Sequence, residues 1–264
     1  MNDRLKNKVA IVTGGSLGIG IGISTLFAKE GAKVIVSSRN LKDINNVVNK
    51  INDDGGEASG IVCDITSSEQ VKVLVSGTIK KYGRIDVLAN NAGKNPDRLS
   101  TAEDLTEQEW DDYFNVNAKG AWLCSKYVIP EMRKSGGGSI IMTSSVSAHY
   151  AQSFNGCYNA SKAAMDILAK CMALDFAKDN IRVNSICPAW VATQNNKLEE
   201  LEGKVFEKPL STGVKSYKEI VEMHPIGRIG NINDIGWMAV YLASDESSWV
   251  TGVSYMLDGG YTCR

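Results

Sequence analysis

The sequence predicts an α/β protein in which one doubly wound parallel β-sheet carries helices on both faces. Short apolar runs of β type alternate with longer helical patterns through most of the 264 residues, and this is the order that βαβ units produce. The first run, Val9–Val12, is apolar without interruption, as expected of a strand that is buried on both faces. A glycine-rich turn follows it and opens a helical pattern.

Seven strands and five of the helices between them can be placed. The strands are Val9–Val12, Lys33–Ser37, Gly60–Cys63, Ile85–Ala89, Ser139–Thr143, Ile181–Cys187 and Val253–Leu257. Apolar residues at helical spacing predict helices over Leu41–Asn52 and Val71–Ile79. Thr106-x-x-Glu109 is a capping-box pattern that opens another helix. Two further helices are predicted over about Tyr158–Lys178 and Asn233–Ala243.

Composition and charge exclude several classes of protein. Lys and Arg number 29 against 30 Asp and Glu, so the chain lacks the basic excess of a nucleic-acid binder. Six scattered cysteines without a Cys-x-x-Cys pair, together with two histidines, predict no metal site and no disulfide framework, and they favour the reducing cytoplasm. Residues 9–28 carry no charge, but five glycines interrupt them, so we expect no membrane span.

The first motif with a chemical meaning is Thr13-Gly-Gly-Ser-Leu-Gly-Ile-Gly20. It follows the first strand directly and opens a helix. Glycines allow the backbone to approach a pyrophosphate, and the helix N-terminus offers N–H groups and a positive dipole. A tight strand–helix connection is the alternative, but the position favours phosphate binding.

The second motif is Tyr158-Asn-Ala-Ser-Lys162, in which Tyr and Lys lie one helical turn apart. A nearby ammonium favours the phenolate, so Lys162 is expected to lower the Tyr158 pKa and make the phenol a usable acid and base. With 9 Tyr and 21 Lys in the chain, chance alone yields roughly 0.7 such pairs. The motif therefore indicates a function only in combination with other residues of the chain.

Polar residues follow several of the predicted strands. Asp64 ends the third strand, Asn90-Asn-Ala-Gly93 follows the fourth, Ser145 follows the fifth, and Pro188-Ala-Trp-Val-Ala-Thr193 ends the sixth. Asn117 lies in the helix after Asn90. Together with the two motifs, these residues resemble the classical short-chain dehydrogenase/reductase family from Lys8 to Gly260.

The resemblance implies a Rossmann-type sheet, a nicotinamide dinucleotide and hydride transfer between a carbonyl and a secondary alcohol, a reaction on CH–OH groups. It implies that Tyr158 is the catalytic acid and base, that Ser145 holds the substrate oxygen, that Lys162 binds the nicotinamide ribose, and that Asn117 helps to order a water beside Lys162. Cofactor contacts are implied for Gly14, Ser16, Leu17, Gly18, Ile19, Gly20, Ser38, Arg39, Asp64, Ile65, Asn91, Ala92, Gly93, Val191 and Thr193, besides Tyr158 and Lys162. Asp64 would contact adenine, Asn91 the adenosine ribose, and Val191 and Thr193 the carboxamide.

NADP(H) is expected as the cofactor in preference to NAD(H). No acidic residue occurs from Gly31 through Lys42, where NAD-specific sites place a carboxylate for the ribose hydroxyls. Ser38 can donate a hydrogen bond, and Arg39 presents a planar fork suited to phosphate. Leu17 stands where many NADP-dependent relatives carry a second cation, and Ala189 replaces the glycine that the family usually has after Pro188.

Residues 1–264 are expected to form a single dinucleotide-binding and catalytic domain for a small-molecule carbonyl or alcohol. Residues 194–225 show weak periodicity and are long for a plain connection, so they are predicted to be a substrate lid. The family resemblance implies a homotetramer or a homodimer. Two alternatives stay open: a β-ketoacyl carrier-protein reductase, for which Arg133 and Lys134 are too few to make a docking patch, and a non-catalytic dinucleotide sensor.

Overall fold

A computed structural model describes residues 3–96, 98–194 and 213–263. Within them, seven parallel strands form one sheet in the order β3-β2-β1-β4-β5-β6-β9. Its strands are β1 (Val9–Thr13), β2 (Lys33–Ser38), β3 (Glu57–Val62), β4 (Val87–Asn90), β5 (Gly138–Thr143), β6 (Ile181–Pro188) and β9 (Ser254–Leu257). Two short strands, β7 (Val191–Ala192) and β8 (Gly230–Asn231), pair apart from the sheet.

The helices cover both faces of this sheet. They are α1 (Ile19–Lys29), α2 (Leu41–Asp53), α3 (Ser68–Tyr82), α4 (Glu107–Tyr113), α5 (Ala121–Lys134), α6 (Gly156–Asp175), α7 (Tyr217–Glu222) and α8 (Ile232–Ala243). One apolar core joins α1, α2 and α8 to the sheet, and a second joins α3, α5 and α6 to the opposite face. The doubly wound α/β fold predicted from the sequence is therefore confirmed.

The strand order determines where a ligand can bind. β1 pairs with β2 on one side and with β4 on the other. The strand order therefore reverses between β1 and β4: β2 and β3 lie to one side of this point, and β5 and β6 lie to the other. In open α/β sheets a crevice opens at such a point, outside the carboxyl ends of the strands. The glycine-rich turn after β1 and the residues that follow β2, β4, β5 and β6 all lie at that edge.

Helix α1 packs on α8 through two facing glycines. A Cβ atom on Gly22 would lie 2.3 Å from the Ile232 carbonyl oxygen, and one on Gly236 would lie 2.8 Å from the Gly22 carbonyl oxygen. The two helix backbones therefore approach so closely that neither position has room for a side chain. This contact holds α1 in place against α8, and it thereby positions the N-terminus of α1 directly after the glycine-rich turn.

Some elements differ from the sequence expectation. β3 begins at Glu57, three residues early, because it is an edge strand whose alternating exposed residues hide its start. Helix α7 and the β7–β8 pair were not predicted. Of the predicted lid at 194–225, residues 195–212 lie outside the described residues, and α7 covers a third, small apolar cluster that includes Val214 and Ile220. Among the described residues, no helix is long and apolar enough to cross a membrane.

Candidate active site

A crevice of about 1770 Å³ opens at the carboxyl edge of the sheet. It runs from the ends of β2 and β3, past the glycine-rich turn, to the loops after β4, β5 and β6. Its volume exceeds the 300–1,000 Å³ typical of a pocket for one small ligand. The crevice therefore has room for a dinucleotide and a second small molecule side by side.

The glycine-rich turn forms the centre of the crevice floor. Gly14 adopts a φ of 61°, and a Cβ atom there would lie 2.8 Å from the Ala92 Cα. The Asn91 amide donates to the carbonyls of Thr13 and Gly14 at 3.2 Å, which ties this turn to the end of β4. Gly20 does not line the crevice: a Cβ there would lie 2.0 Å from the Gly14 carbonyl oxygen, so this glycine lets α1 pack beneath the turn.

The end of β2 presents hydroxyls and one cation to the crevice. The Ser16 and Ser38 hydroxyls share a hydrogen bond of 2.7 Å, and Arg39 is exposed beside them. No ion pair or hydrogen bond engages the Arg39 guanidinium within the described part of the chain. Asp43, from the first turn of α2, also lines this end and was not singled out from the sequence.

The end of β3 supplies a carboxylate. Asp64 Oδ1 accepts from the Thr66 N–H at 2.9 Å and from its hydroxyl at 2.8 Å, while the Asp64 N–H donates to Gln70. Asp64 lines the crevice, where Ile65 also contributes an apolar surface. A carboxylate oxygen held this way suits the exocyclic amine of a purine.

Three reactive side chains meet at the other end of the crevice. Tyr158 and Lys162 lie one turn apart on α6, and the Lys162 Nζ is 5.9 Å from the centroid of the Tyr158 ring. Ser145, the first residue of a short turn after β5, hydrogen-bonds to the phenol. The Lys162 Nζ donates to the Thr143 carbonyl at 2.8 Å, so β5 also fixes the ammonium.

Burial sets the protonation of these groups. Desolvation raises the pKa of Tyr158 above its ordinary 10, and the hydrogen bond with Ser145 opposes this shift without cancelling it. Desolvation also lowers the pKa of Lys162 to about 8. The sequence predicted that Lys162 would lower the Tyr158 pKa, whereas the shift has the opposite direction. Lys162 is buried and Tyr158 is half-buried at the crevice wall, and desolvation favours the neutral form of both groups.

Asn117 lies behind the reactive groups and does not line the crevice. It belongs to a π-helical turn, Phe114–Gly120, inserted between α4 and α5, and its side chain is fully buried. Its Oδ1 accepts from the Lys94 N–H at 2.7 Å, and its Nδ2 donates to the Lys94 carbonyl and to the Ser161 hydroxyl. Asn117 therefore joins the loop after β4 to α6, which is a positioning role. π-Helical turns recur at functional sites.

Most of the predicted cofactor-contact residues line this one crevice. They are Gly14, Ser16, Leu17, Gly18, Ile19, Ser38, Arg39, Asp64, Ile65, Asn91, Ala92, Gly93, Tyr158, Lys162, Val191 and Thr193. Sequence reasoning missed Ser147, Gln152 and Asn155, which also line it, because they come from a loop with no recognisable motif. Trp190 also lines the crevice, whereas Tyr150 packs edge-on against Tyr261.

One group of metal-ligand types lies beside the crevice. His149 Nε2 lies 3.1 Å from Asp166 Oδ2, and Cys187 Sγ lies 3.9 Å from Asp166 Oδ1. Lys170 and the Ser254 hydroxyl also contact Oδ2, so this buried carboxylate already has three partners on one oxygen. Desolvation raises the pKa of Cys187 to about 12, which keeps the thiol protonated. Protein groups thus already engage the Asp166 carboxylate, and the sequence prediction of no metal site stays a prediction.

The crevice fits the nicotinamide dinucleotide that the sequence resemblance implied. Gly14 and Gly18 line the crevice beside the N-terminus of α1, which suits a pyrophosphate, and polar groups lie at both ends of one continuous cavity. A family model described as enoyl-(acyl carrier protein) reductase matches residues 14–262. The chain belongs to the classical short-chain dehydrogenase/reductase family. It is thus an NAD(P)-dependent oxidoreductase that acts on CH–OH groups.

Relatives within this family differ in what their names say they do. An NADP-dependent (R)-specific alcohol dehydrogenase from Lentilactobacillus kefiri is 38% identical over 267 aligned positions, covering 100% of both chains. The 3-oxoacyl-[acyl-carrier-protein] reductase FabG of Thermotoga maritima is 37% identical, covering 97% of this chain and 98% of its own. A solved 7α-hydroxysteroid dehydrogenase, in complex with NADH and 7-oxo glycochenodeoxycholic acid, has a TM-score of 0.87 at 35% identity, covering 98% and 96%.

Proposed function

We propose that this short-chain dehydrogenase/reductase interconverts a ketone and a secondary alcohol with NADP(H). The observation that carries the proposal is one continuous crevice with Arg39 at one end and Ser145, Tyr158 and Lys162 at the other. When bound, the nicotinamide supplies the hydride, and the chain supplies orientation and proton transfer.

The reactive end suits proton donation to a carbonyl oxygen. A Tyr158 whose pKa is raised is protonated at neutral pH, and Ser145 bonds to the same phenol. A substrate oxygen held between these two hydroxyls would receive its proton from Tyr158 as the carbonyl is reduced. Lys162, with a pKa of about 8, still carries its charge at pH 7, where it can bind ribose hydroxyls.

The preference for NADP(H) rests on Arg39, whose guanidinium has no acidic partner in the described residues and lies beside the Ser16 and Ser38 hydroxyls. These groups form an arrangement suited to a 2′-phosphate. Asp43 at the same end opposes this preference, and the solved relative bound to NADH uses the other cofactor form. The unpartnered guanidinium outweighs Asp43 in this proposal.

The second candidate, reduction of a β-ketoacyl carrier-protein thioester, is favoured by the FabG relative. The cations considered for carrier-protein docking do not support it. Arg133 forms an ion pair with Asp179, and Lys134 forms one with Glu131. Arg133 and Lys134 are the last two residues of α5, just before β5 begins. They therefore lie at the amino edge of the sheet, away from the crevice. The whole chain as one catalytic domain, its cytoplasmic location and its homotetrameric or homodimeric state stay predictions.

The test is cofactor oxidation by purified protein over a panel of ketones, aldehydes and β-ketoacyl thioesters, with NADPH and NADH in parallel. We expect turnover of ketones with a higher kcat/KM for NADPH. Tyr158→Phe should lower kcat by about 10²–10⁴-fold, because it removes the proton donor. Its affinity for cofactor should stay near that of the wild type. Turnover by Tyr158→Phe at the wild-type rate, or no turnover of any carbonyl by the wild type, would contradict the proposal.

A further inference from the structure

The wall of the crevice next to Tyr158 carries a polar network that the hydride-transfer chemistry does not use. The Ser147 hydroxyl donates to Gln152 Oε1 at 2.7 Å, and Asn155 Nδ2 donates to the same oxygen at 3.2 Å. All three side chains line the crevice, and Ser147 also joins the reactive end, because its N–H donates to the Ser145 hydroxyl at 3.1 Å.

This network leaves one donor and one acceptor without a partner. Asn155 is only 7% exposed, yet no described residue forms a hydrogen bond with its Oδ1. The Gln152 Nε2 likewise has no partner in the described part of the chain. The oxygen and nitrogen of both amides could also be exchanged. The Gln152 nitrogen would then donate to Ser147 and to Asn155, and the Gln152 oxygen and the Asn155 nitrogen would be left without partners.

The backbone holds Asn155 where it faces the crevice. Asn155 precedes the first turn of α6, but its side chain makes no capping hydrogen bond to that helix. The preceding residue, Phe154, has a φ of 61°, an uncommon conformation for a bulky residue. The Phe154 carbonyl accepts from the Ser100 N–H at 3.1 Å, so the loop after β4 keeps this turn in place. A strained turn that withholds a helix cap is consistent with a ligand-binding role.

We propose that Ser147, Gln152 and Asn155 form a subsite for a hydroxyl group next to the reacting carbonyl, so that the substrate is a hydroxyketone and its product a vicinal diol. A hydroxyl is both donor and acceptor and therefore satisfies the free Asn155 oxygen and the free Gln152 amide together. Asn155 directly precedes α6, Tyr158 lies in its first turn, and both line the crevice. Ser147 also bonds to Ser145, so we place the hydroxyl subsite next to the reacting carbonyl.

The proposal rests on the proposed function, because it assumes that ketones are reduced at Tyr158. Its test compares isosteric pairs: hydroxyacetone with 2-butanone, and 3-hydroxy-2-butanone with 3-methyl-2-butanone. Wild-type protein should favour the hydroxyketone in kcat/KM. Since an α-hydroxyl also activates the carbonyl electronically, the decisive quantity is the change in this ratio between wild type and variant.

Asn155→Leu and Gln152→Leu should each lower the ratio by about 10–100-fold, which is the effect expected for losing a hydrogen bond to a buried polar group. A general structural defect would instead lower kcat/KM for both members of a pair by the same factor, so the change in the ratio separates the two effects. Asn46→Leu, on the exposed face of α2, is the matched control and should leave the ratio unchanged.

The two levels of failure give different results. If plain ketones are reduced and Asn155→Leu leaves the ratio unchanged, the hydroxyl subsite is wrong and the proposed function stands. If neither member of either pair is reduced with either cofactor, the proposed function itself is wrong. If Asn155→Leu slows both members equally, Asn155 has a structural role and the subsite is refuted.

Discussion

Replacing the buried Lys162 with Met should stabilise the cofactor-free protein at neutral pH while it abolishes most activity. Lys162 is 4% exposed, and burial lowers its pKa from 10.5 to about 8. At about 1.4 kcal/mol per pH unit, keeping this ammonium charged costs the fold roughly 3 kcal/mol. Methionine has a similar shape and carries no charge, but it loses the hydrogen bond to the Thr143 carbonyl, worth about 1–2 kcal/mol. The net gain is about 1–2 kcal/mol.

The pH dependence of this gain identifies its origin. Below pH 8 the lysine is charged in both the folded and the unfolded chain, so the burial cost is present in full. Between pH 8 and 10.5 the folded protein releases the proton while the unfolded chain retains it, and the wild type therefore becomes more stable relative to the variant. The advantage of Lys162→Met should shrink across this window.

The assay is urea unfolding of cofactor-free protein at pH 7 and at pH 10, because bound cofactor would stabilise the wild type by mass action. At an m value of about 3 kcal/mol/M, the variant midpoint at pH 7 should lie roughly 0.5 M higher. Lys178→Met, an exposed lysine just after α6, is the control and should show no such shift. A variant less stable than the wild type at pH 7, or an advantage that persists undiminished at pH 10, would refute the reasoning.

Two further predictions follow from cofactor choice and from helix packing. Arg39→Ala should raise the KM for NADPH by about ten- to a hundredfold and leave that for NADH nearly unchanged, because a charge-assisted contact to phosphate is worth about 1.5–3 kcal/mol. Steady-state kinetics with both cofactors measure this, Lys42→Ala is the control, and equal changes with both cofactors would contradict it. Gly22→Ala should lower the free energy of unfolding by about 1–3 kcal/mol, because its Cβ would lie 2.3 Å from the Ile232 carbonyl oxygen. Gly156→Ala, with no atom within 4 Å of the added Cβ, is the control in thermal unfolding, and equal stability of the two variants would disprove the close-packing argument.

The fold and most of the crevice could be predicted because their signals are local in the sequence. Val9–Val12 is an unbroken apolar run that is buried in the centre of the sheet, so its pattern predicts the strand. The glycine-rich turn and the Tyr158–Lys162 spacing are likewise contiguous. The start of β3 at Glu57 was missed because an edge strand exposes alternate polar residues. The π-helical turn around Asn117 was missed because no residue type marks one extra residue in a helix.

The features that sequence could not supply all arise from contacts between distant segments. Gln152 and Asn155 lie in a loop without a motif, and they gain a function only where that loop meets the end of β5. The expected shift of the Tyr158 pKa had the opposite sign for the same reason. The spacing to Lys162 specifies an attraction between neighbours, whereas the burial that opposes it is a property of the whole site.

Burial and proton transfer are connected in this site. Desolvation raises the pKa of Tyr158, which keeps the phenol neutral, and lowers the pKa of Lys162 to about 8. A neutral acid is the form needed to protonate a carbonyl oxygen, whereas alcohol oxidation needs the phenolate. In that oxidation we expect Lys162 to stabilise the phenolate, and the Lys162 charge is itself lost as the pH rises above about 8. We therefore expect the two groups to limit each other in the oxidative direction, whereas reduction at neutral pH requires only the protonated phenol that desolvation favours.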